Sequence, residues 1–215
     1  GEPLAYLIGS IPFLGTTIYL DSKPLIPRTE TEFWVEKLIE KLREKGDELR
    51  ILDLCAGSGC IGIALKKAFG NAHVDFAELD ANHHETIKKN LHENGLDAEA
   101  SHIYGGDLFE NITETYDCIV SNPPYIDKAE NTTDESVKDH EPHLALYGGE
   151  KGLEYLARII ETTPRFLAPE GLLALEHEPV QAEEIQALGS RFGFETASYK
   201  DQFETIRYSF LHQKA

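Results

Sequence analysis

The sequence has no methionine, one tryptophan and only three cysteines in 215 residues. Three cysteines, at positions 55, 60 and 118, give no disulfide framework, so the chain reads as an intracellular, cytoplasmic protein of a reducing compartment. Without methionine it has no initiator, which suggests a fragment or a processed product. Basic residues are scarce, with 20 Lys and Arg against 38 Asp and Glu for a formal net charge of −18. A surface of that sign repels phosphate backbones, which argues against direct contact with nucleic acid. No apolar run approaches the ~20 residues that cross a bilayer, and no basic segment followed by an apolar one opens the chain, so no membrane partner is expected. Repeats and low-complexity tracts are lacking as well. What remains is an ordinary globular composition, 41% hydrophobic with 17 Gly and 10 Pro, in a chain long enough for one good core.

The first 28 residues are broken by Gly9, Pro12, Gly15 and Pro24 and suggest a hairpin or extended arm. From Thr29 the apolar residues Phe33, Trp34, Leu38 and Leu42 recur at helical spacing, predicting a helix over about 30–45. Strands are then expected at 51–54, 74–77, 102–104, 118–120 and 172–175, alternating with helices at 60–69, 84–93, 153–166 and 182–192. Such alternation implies an α/β fold with an open, mostly parallel sheet covered on both faces. Residues 195–200 and 205–212 form two strands with no room for a helix between them, so an antiparallel hairpin should edge that sheet.

In open α/β sheets ligands sit outside the carboxyl ends of the strands. The turn after the first such strand reads Asp53-Leu54-Cys55-Ala56-Gly57-Ser58-Gly59, where the glycines let the backbone pass close under a ligand and a helix N-terminus follows. About 19 residues past Gly59, Glu78 is placed to accept hydrogen bonds from both hydroxyls of a ribose. Gly57, Gly59 and Gly62 also satisfy the dinucleotide fingerprint by letter. Asp53 favours a methyl donor instead, because a carboxylate there attracts an ammonium and sulfonium but repels a pyrophosphate. A ligand-free turn with Asp53 as a cap stays open at this point. Asp107, after Gly105-Gly106, is a candidate for an adenine amino group or an ordinary turn aspartate.

Asn122-Pro123-Pro124-Tyr125 follows the strand at 118–120 and falls on the same edge. Two prolines stiffen the loop and remove two N–H donors, leaving carbonyls as acceptors. Asn122 adds a side-chain carbonyl and Tyr125 a flat ring. Together they suit an –NH2 group on a planar, conjugated carbon. Holding both N–H bonds of so poor a nucleophile favours the more tetrahedral nitrogen of a transfer transition state.

These residues resemble the class I S-adenosylmethionine-dependent methyltransferases that act on planar amino groups. Gly1-Glu2-Pro3-Leu4-Ala5-Tyr6, Ile26-Pro27-Arg28-Thr29-Glu30-Thr31-Glu32 and Glu141-Pro142 narrow the resemblance, over nearly the whole chain, to the protein-(glutamine-N5) methyltransferases. Those enzymes methylate the glutamine of the Gly-Gly-Gln motif in peptide-chain release factors. The resemblance implies a Rossmann-like domain over 29–215 with a seven-stranded sheet, and a hairpin arm over 1–28 left behind a missing helical domain. It implies S-adenosyl-L-methionine as cofactor, S-adenosyl-L-homocysteine as product and a release factor as partner; a monomer is expected. Asp53, Ala56, Gly57, Gly59, Glu78, Asp107 and Leu108 would bind the donor, along with Pro27, Arg28 and Asn122. Asn122 and the Pro123 carbonyl would hold the acceptor amide, with Pro124 and Tyr125 packed against it. Two departures stand out: Cys55 replaces the first glycine of the loop, and Thr29 stands where the family often has proline. The competing reading is an adenine-directed nucleic-acid methyltransferase, which needs a basic face; a non-catalytic scaffold is the third.

Other features read more plainly. Cys55 and Cys60 lack the second pair of a zinc site. His83-His84 is expected to face solvent, the acidic run 134–141 to form a solvated, mobile loop near the substrate mouth, and Gly148-Gly149-Glu150 either to cap the next helix or to act as a hinge.

Overall fold

The computed structural model describes residues 1–129 and 135–214. The arm opens with α1 (Leu4–Ile8), a helix not foreseen, followed by β1 (Ser10–Phe13) and β2 (Thr16–Tyr19). Leu14 and Gly15, both at positive φ, form the two-residue turn that matches the twist of an antiparallel pair. The arm is not loose: Phe13, Ile18 and Leu20 enter the main core, and Asn90 and Asn94 hydrogen-bond to the backbone of Tyr19 and Thr17.

α2 (Thr29–Leu42) forms because Trp34, Val35, Leu38, Ile39 and Leu42 fall on one stripe, while Glu30 and Glu32 sit at the N-terminal end where the helix dipole favours anions. The strands that follow are β3 (Arg50–Leu54), β4 (His73–Glu78), β5 (Ile103–Gly105), β6 (Tyr116–Ser121), β7 (Leu167–Glu176), β8 (Phe194–Lys200) and β9 (Ile206–Gln213). They pair in the order β5-β4-β3-β6-β7-β9-β8, parallel as far as β7 and antiparallel across β9 and β8. Residues 51–54 are buried on both faces, as a central parallel strand requires. Ile51, Phe76 and Val120 pack toward α2 and the arm, whereas Leu52, Ala77 and Ile119 pack on the opposite face.

The connecting helices are α3 (Cys60–Ala68), α4 (His84–Glu93), α5 (Glu135–His140), α6 (Glu154–Thr162) and α7 (Ala182–Arg191). α6 stops short of the expected 166 because Pro164 forces a 3-10 turn, and β7 runs from 167 rather than 172. Asp134 lies outside the described residues; the rest of the acidic run forms a helix, α5, with no buried residue, and ends at a buried Glu141. No helix among the described residues is long and apolar enough to cross a membrane.

The chain steps outward from β3 through β4 to β5, then returns to place β6 on the other side of β3. That reversal opens a crevice at the carboxyl ends of β3 and β6, where such sheets bind ligands.

Candidate active site

Asp53 and Leu54 end β3, and Cys55, Gly57 and Gly59 follow at φ +61°, +54° and +77°. At Cys55 the left-handed conformation costs a side-chain-bearing residue about 1 kcal/mol, the strain a glycine would avoid. Gly62, one turn into α3, has no room for a Cβ against the Phe76 ring, so helix and sheet approach closely. Its N–H donates to Asp53 Oδ2 at 2.8 Å. Asp53 Oδ1 is buried and has no hydrogen-bond partner among the described residues. Burial pushes this carboxyl up to about 8; the Gly62 N–H opposes the rise and nearby Glu78 adds to it.

Glu78 ends β4. Its Oε2 accepts from the Gly57 N–H at 2.7 Å and its Oε1 from the Asp80 N–H at 2.8 Å, which locks the carboxylate beside the glycine turn. Gly57, Glu78, Asp107, Leu108, Asn122 and Pro124 all line one partly open cleft. Asp107 there is ion-paired to Arg158 at 2.6 Å. Asp53, Ala56, Gly59, Pro123 and Tyr125 are not on that wall, nor are Pro27 and Arg28. Leu25 takes the wall position in their segment.

Arg28 has another contact: its Nη2 lies 2.6 Å from Glu141 Oε1, and Glu141 Oε2 accepts the Ile26 N–H at 3.0 Å. Glu141 thus fastens the arm to the stretch Pro142–Ala145, whose Pro142, Leu144 and Ala145 roof the cleft. His83 is a correction to the sequence reading. It is 5% exposed, its Nδ1 sits 2.8 Å from Ser22 Oγ, and it lines the cleft.

The Asn122 loop rests on a residue that the sequence did not single out. Glu176, at the end of β7, is 1% exposed. Its Oε2 accepts from Thr31 Oγ1 and from Trp34 Nε1, both at 2.6 Å, and its Oε1 accepts from the Tyr125 hydroxyl at 2.8 Å. Burial raises the Glu176 pKa, and these three donors pull against the rise. Tyr125 therefore turns its hydroxyl inward, while its ring packs on the second core cluster. Asn122 Nδ2 is 3.3 Å from Thr31 Oγ1. Behind the loop, a Cβ on Gly148 would meet the Pro124 carbonyl oxygen at 2.5 Å, and one on Gly152 would fall onto the Tyr125 carbonyl. Gly148 caps the next helix: its carbonyl accepts the Glu154 N–H at 2.9 Å at the start of α6.

S-adenosylmethionine fits this donor set. Glu78 is a fixed acceptor pair on the cleft wall, apolar Leu25, Leu108 and Leu144 line the remainder, and off the wall Asp53 keeps one buried oxygen without a hydrogen-bond partner among the described residues. No group of three or more His, Cys, Asp or Glu among the described residues is arranged to hold a metal ion.

Comparison with known proteins agrees. The model of the methyltransferase small domain matches residues 31–150. A release factor glutamine methyltransferase of Chlamydia trachomatis serovar D is 34% identical over 214 residues, 99% of this chain and 73% of that protein. The one from Francisella tularensis is 37% identical over 194 residues, 90% of this chain and 68% of that protein. The solved structure of a release-factor-specific protein-(glutamine-N5) methyltransferase from Alicyclobacillus acidocaldarius superposes with a TM-score of 0.53 at 24% identity, covering 91% of this chain and 97% of the other, and supports the fold. With a reversed sheet order at the Asp53 and Asn122 strand ends and relatives of this closeness, the chain belongs to the release factor glutamine methyltransferase family of class I, Rossmann-like methyltransferases.

Proposed function

We propose that this chain transfers a methyl group from S-adenosyl-L-methionine to the side-chain amide nitrogen of the glutamine in a release factor's Gly-Gly-Gln motif, with S-adenosyl-L-homocysteine as the product. The observation that carries this reading is the placement of Asn122 on the wall of the cleft that Gly57 and Glu78 also line. Cofactor side and acceptor side thereby share one crevice.

When bound, the cofactor supplies an electrophilic methyl carbon on a sulfonium centre. Glu78 would accept from the ribose hydroxyls, Asp53 would draw the ammonium, and Asp107 with Leu108 would flank the adenine. Pro27 and Arg28 would act from behind the wall through the Leu25 segment, and Ala56 and Gly59 would shape the turn. On the acceptor side, Asn122 Oδ1 and the Pro123 carbonyl would hold the two amide N–H bonds. Pro124 and Tyr125 would keep the loop rigid beneath them. An amide nitrogen held by two acceptors is drawn toward tetrahedral geometry, so these residues favour the transition state over the planar ground state. As the nitrogen–carbon bond would form and the sulfur–methyl bond break, the proton displaced from nitrogen would pass to solvent water afterwards, so no strong base is needed at the start.

The partner in this reading is a release factor, met in the cytoplasm by a monomer. Residues 29–215 act as the catalytic domain and residues 1–28 as an arm. The net charge of −18 supports a protein acceptor over a nucleic-acid one. The test is incubation with isotope-labelled S-adenosylmethionine and a full-length release factor, followed by peptide mass spectrometry. A label on the Gly-Gly-Gln glutamine is expected; no label there, with transfer instead to DNA or RNA supplied in a parallel incubation, overturns the reading.

A further inference from the structure

We propose that Thr31 and Glu176 are positioning residues that fix which end of the Asn122 side-chain amide is offered to the acceptor. The inference rests on the reading of Asn122 as the acceptor-holding side chain. The two ends of that amide differ chemically. The oxygen can hold an acceptor's N–H, and the nitrogen cannot. A loop that let the amide turn over would present the wrong end part of the time.

Donor counting decides the orientation. Thr31 has one hydroxyl proton, and Glu176 Oε2 lies 2.6 Å from Thr31 Oγ1, the short distance of a hydroxyl donating to a carboxylate. Trp34 Nε1, a donor with no acceptor capacity, lies 2.6 Å from the same oxygen. Oε2 therefore serves both groups as an acceptor. A proton taken up by the buried carboxyl would go to Oε1, whose hydrogen-bond partner among the described residues is the Tyr125 hydroxyl. In either state the Thr31 proton stays committed to Glu176, so toward Asn122, 3.3 Å away, Thr31 Oγ1 has only lone pairs to offer. It accepts from an N–H and repels a carbonyl oxygen. Asn122 must keep Nδ2 on Thr31 and turn Oδ1 away from it, toward the cleft that Asn122 lines. The order runs Asn122 amide to Thr31 hydroxyl to Glu176 carboxylate, every proton pointing inward. At its outer end stands a bare acceptor. Thr31 is 1% exposed, so no solvent competes for its single proton.

The experiment compares Thr31→Val, which keeps shape and deletes the hydroxyl, with Thr31→Ser, which restores it. Methyl transfer to a release factor and donor affinity by calorimetry are measured for both. Thr31→Val is expected to lose at least tenfold in kcat with the donor Kd within twofold of wild type, and Thr31→Ser to recover to within about threefold of wild type. A kcat for Thr31→Val within twofold of wild type overturns the inference, as does a fall in Thr31→Ser as deep as that in Thr31→Val. A second measurement uses the unaltered protein labelled with ¹⁵N, the Asn122 side-chain signals being assigned by their loss in Asn122→Ser. One Nδ2 proton protected from solvent exchange is expected. Rapid exchange of both overturns the inference even if Thr31→Val does not fold. A wild type that binds donor and methylates no glutamine refutes the reading of the acceptor instead, and the exchange measurement still decides the orientation of the amide.

Discussion

Glu141 and Arg28 are 113 positions apart in the chain and 2.6 Å apart in the fold, and the Glu141 side chain is 1% exposed. The pair joins the arm to the roof of the cleft, and Glu141 also holds the Ile26 N–H. Removing one partner leaves the other unpaired. Glu141→Ala is expected to lower unfolding free energy by about 2 kcal/mol in urea titrations, less than for a fully buried pair because Arg28 is about one-third exposed. It should also weaken donor binding through the loosened roof. The double variant Glu141→Ala with Arg28→Ala should lose less than the sum of the two single changes.

Asn122→Ala should separate chemistry from donor binding. In the proposed function the side chain would hold the acceptor at the reacting nitrogen, so methyl transfer is expected to fall at least a hundredfold, a loss of about 3 kcal/mol in transition-state stabilisation. Donor affinity measured by calorimetry should stay near that of wild type. A parallel loss of donor affinity would place Asn122 on the cofactor side instead.

Glu78→Ala should show the opposite split. The carboxylate holds the Gly57 and Asp80 N–H groups and faces the cleft, so its removal loosens the turn and deletes the acceptor pair. Hydrogen bonds to a charged group are worth about 1.5–3 kcal/mol, so donor Kd should rise roughly 10- to 100-fold. Calorimetry checks this directly.

Stability should depend on pH through His177. The ring is fully buried, Nε2 lies 2.7 Å from Ser209 Oγ and Nδ1 2.8 Å from the Glu178 carbonyl. Burial holds its pKa down to about 4, from an ordinary 6.5, with Arg207 adding to the fall and the Glu178 carbonyl opposing it. The unfolded chain therefore binds this proton first as pH falls. The contribution is complete above pH 6.5 and is lost on the way down to about 4, amounting to about 3 kcal/mol. Urea unfolding of wild type and His177→Gln across that range should show the difference between them shrinking as pH falls.

The parts that read well from sequence were those set by local chemistry. Buried strands such as 51–54, the left-handed glycines after Asp53 and the proline pair after Asn122 each carry their own signal. Their meeting at one crevice followed from the alternation of strand and helix. Glu176 was invisible for a different reason. Its partners Thr31 and Trp34 lie 145 and 142 positions away, and a glutamate at a strand end is ordinary. Glu141 was hidden in a run of acidic neighbours that looked uniformly solvated, and His83 in a charged helical stretch. In each case burial by a distant segment, not the residue's own surroundings in the chain, made the difference.

The glycines at 148 and 152 press main chain against the main chain of Pro124 and Tyr125. At those two positions main chain packs on main chain, so nothing larger than glycine can be placed at 148 or 152 without displacing the Asn122–Tyr125 loop. Cleft-lining side chains such as Leu144 and Tyr155 carry no such constraint and are free to change the shape of the cavity. Selection for a new acceptor would accumulate changes among those side chains while the two glycines stayed unaltered.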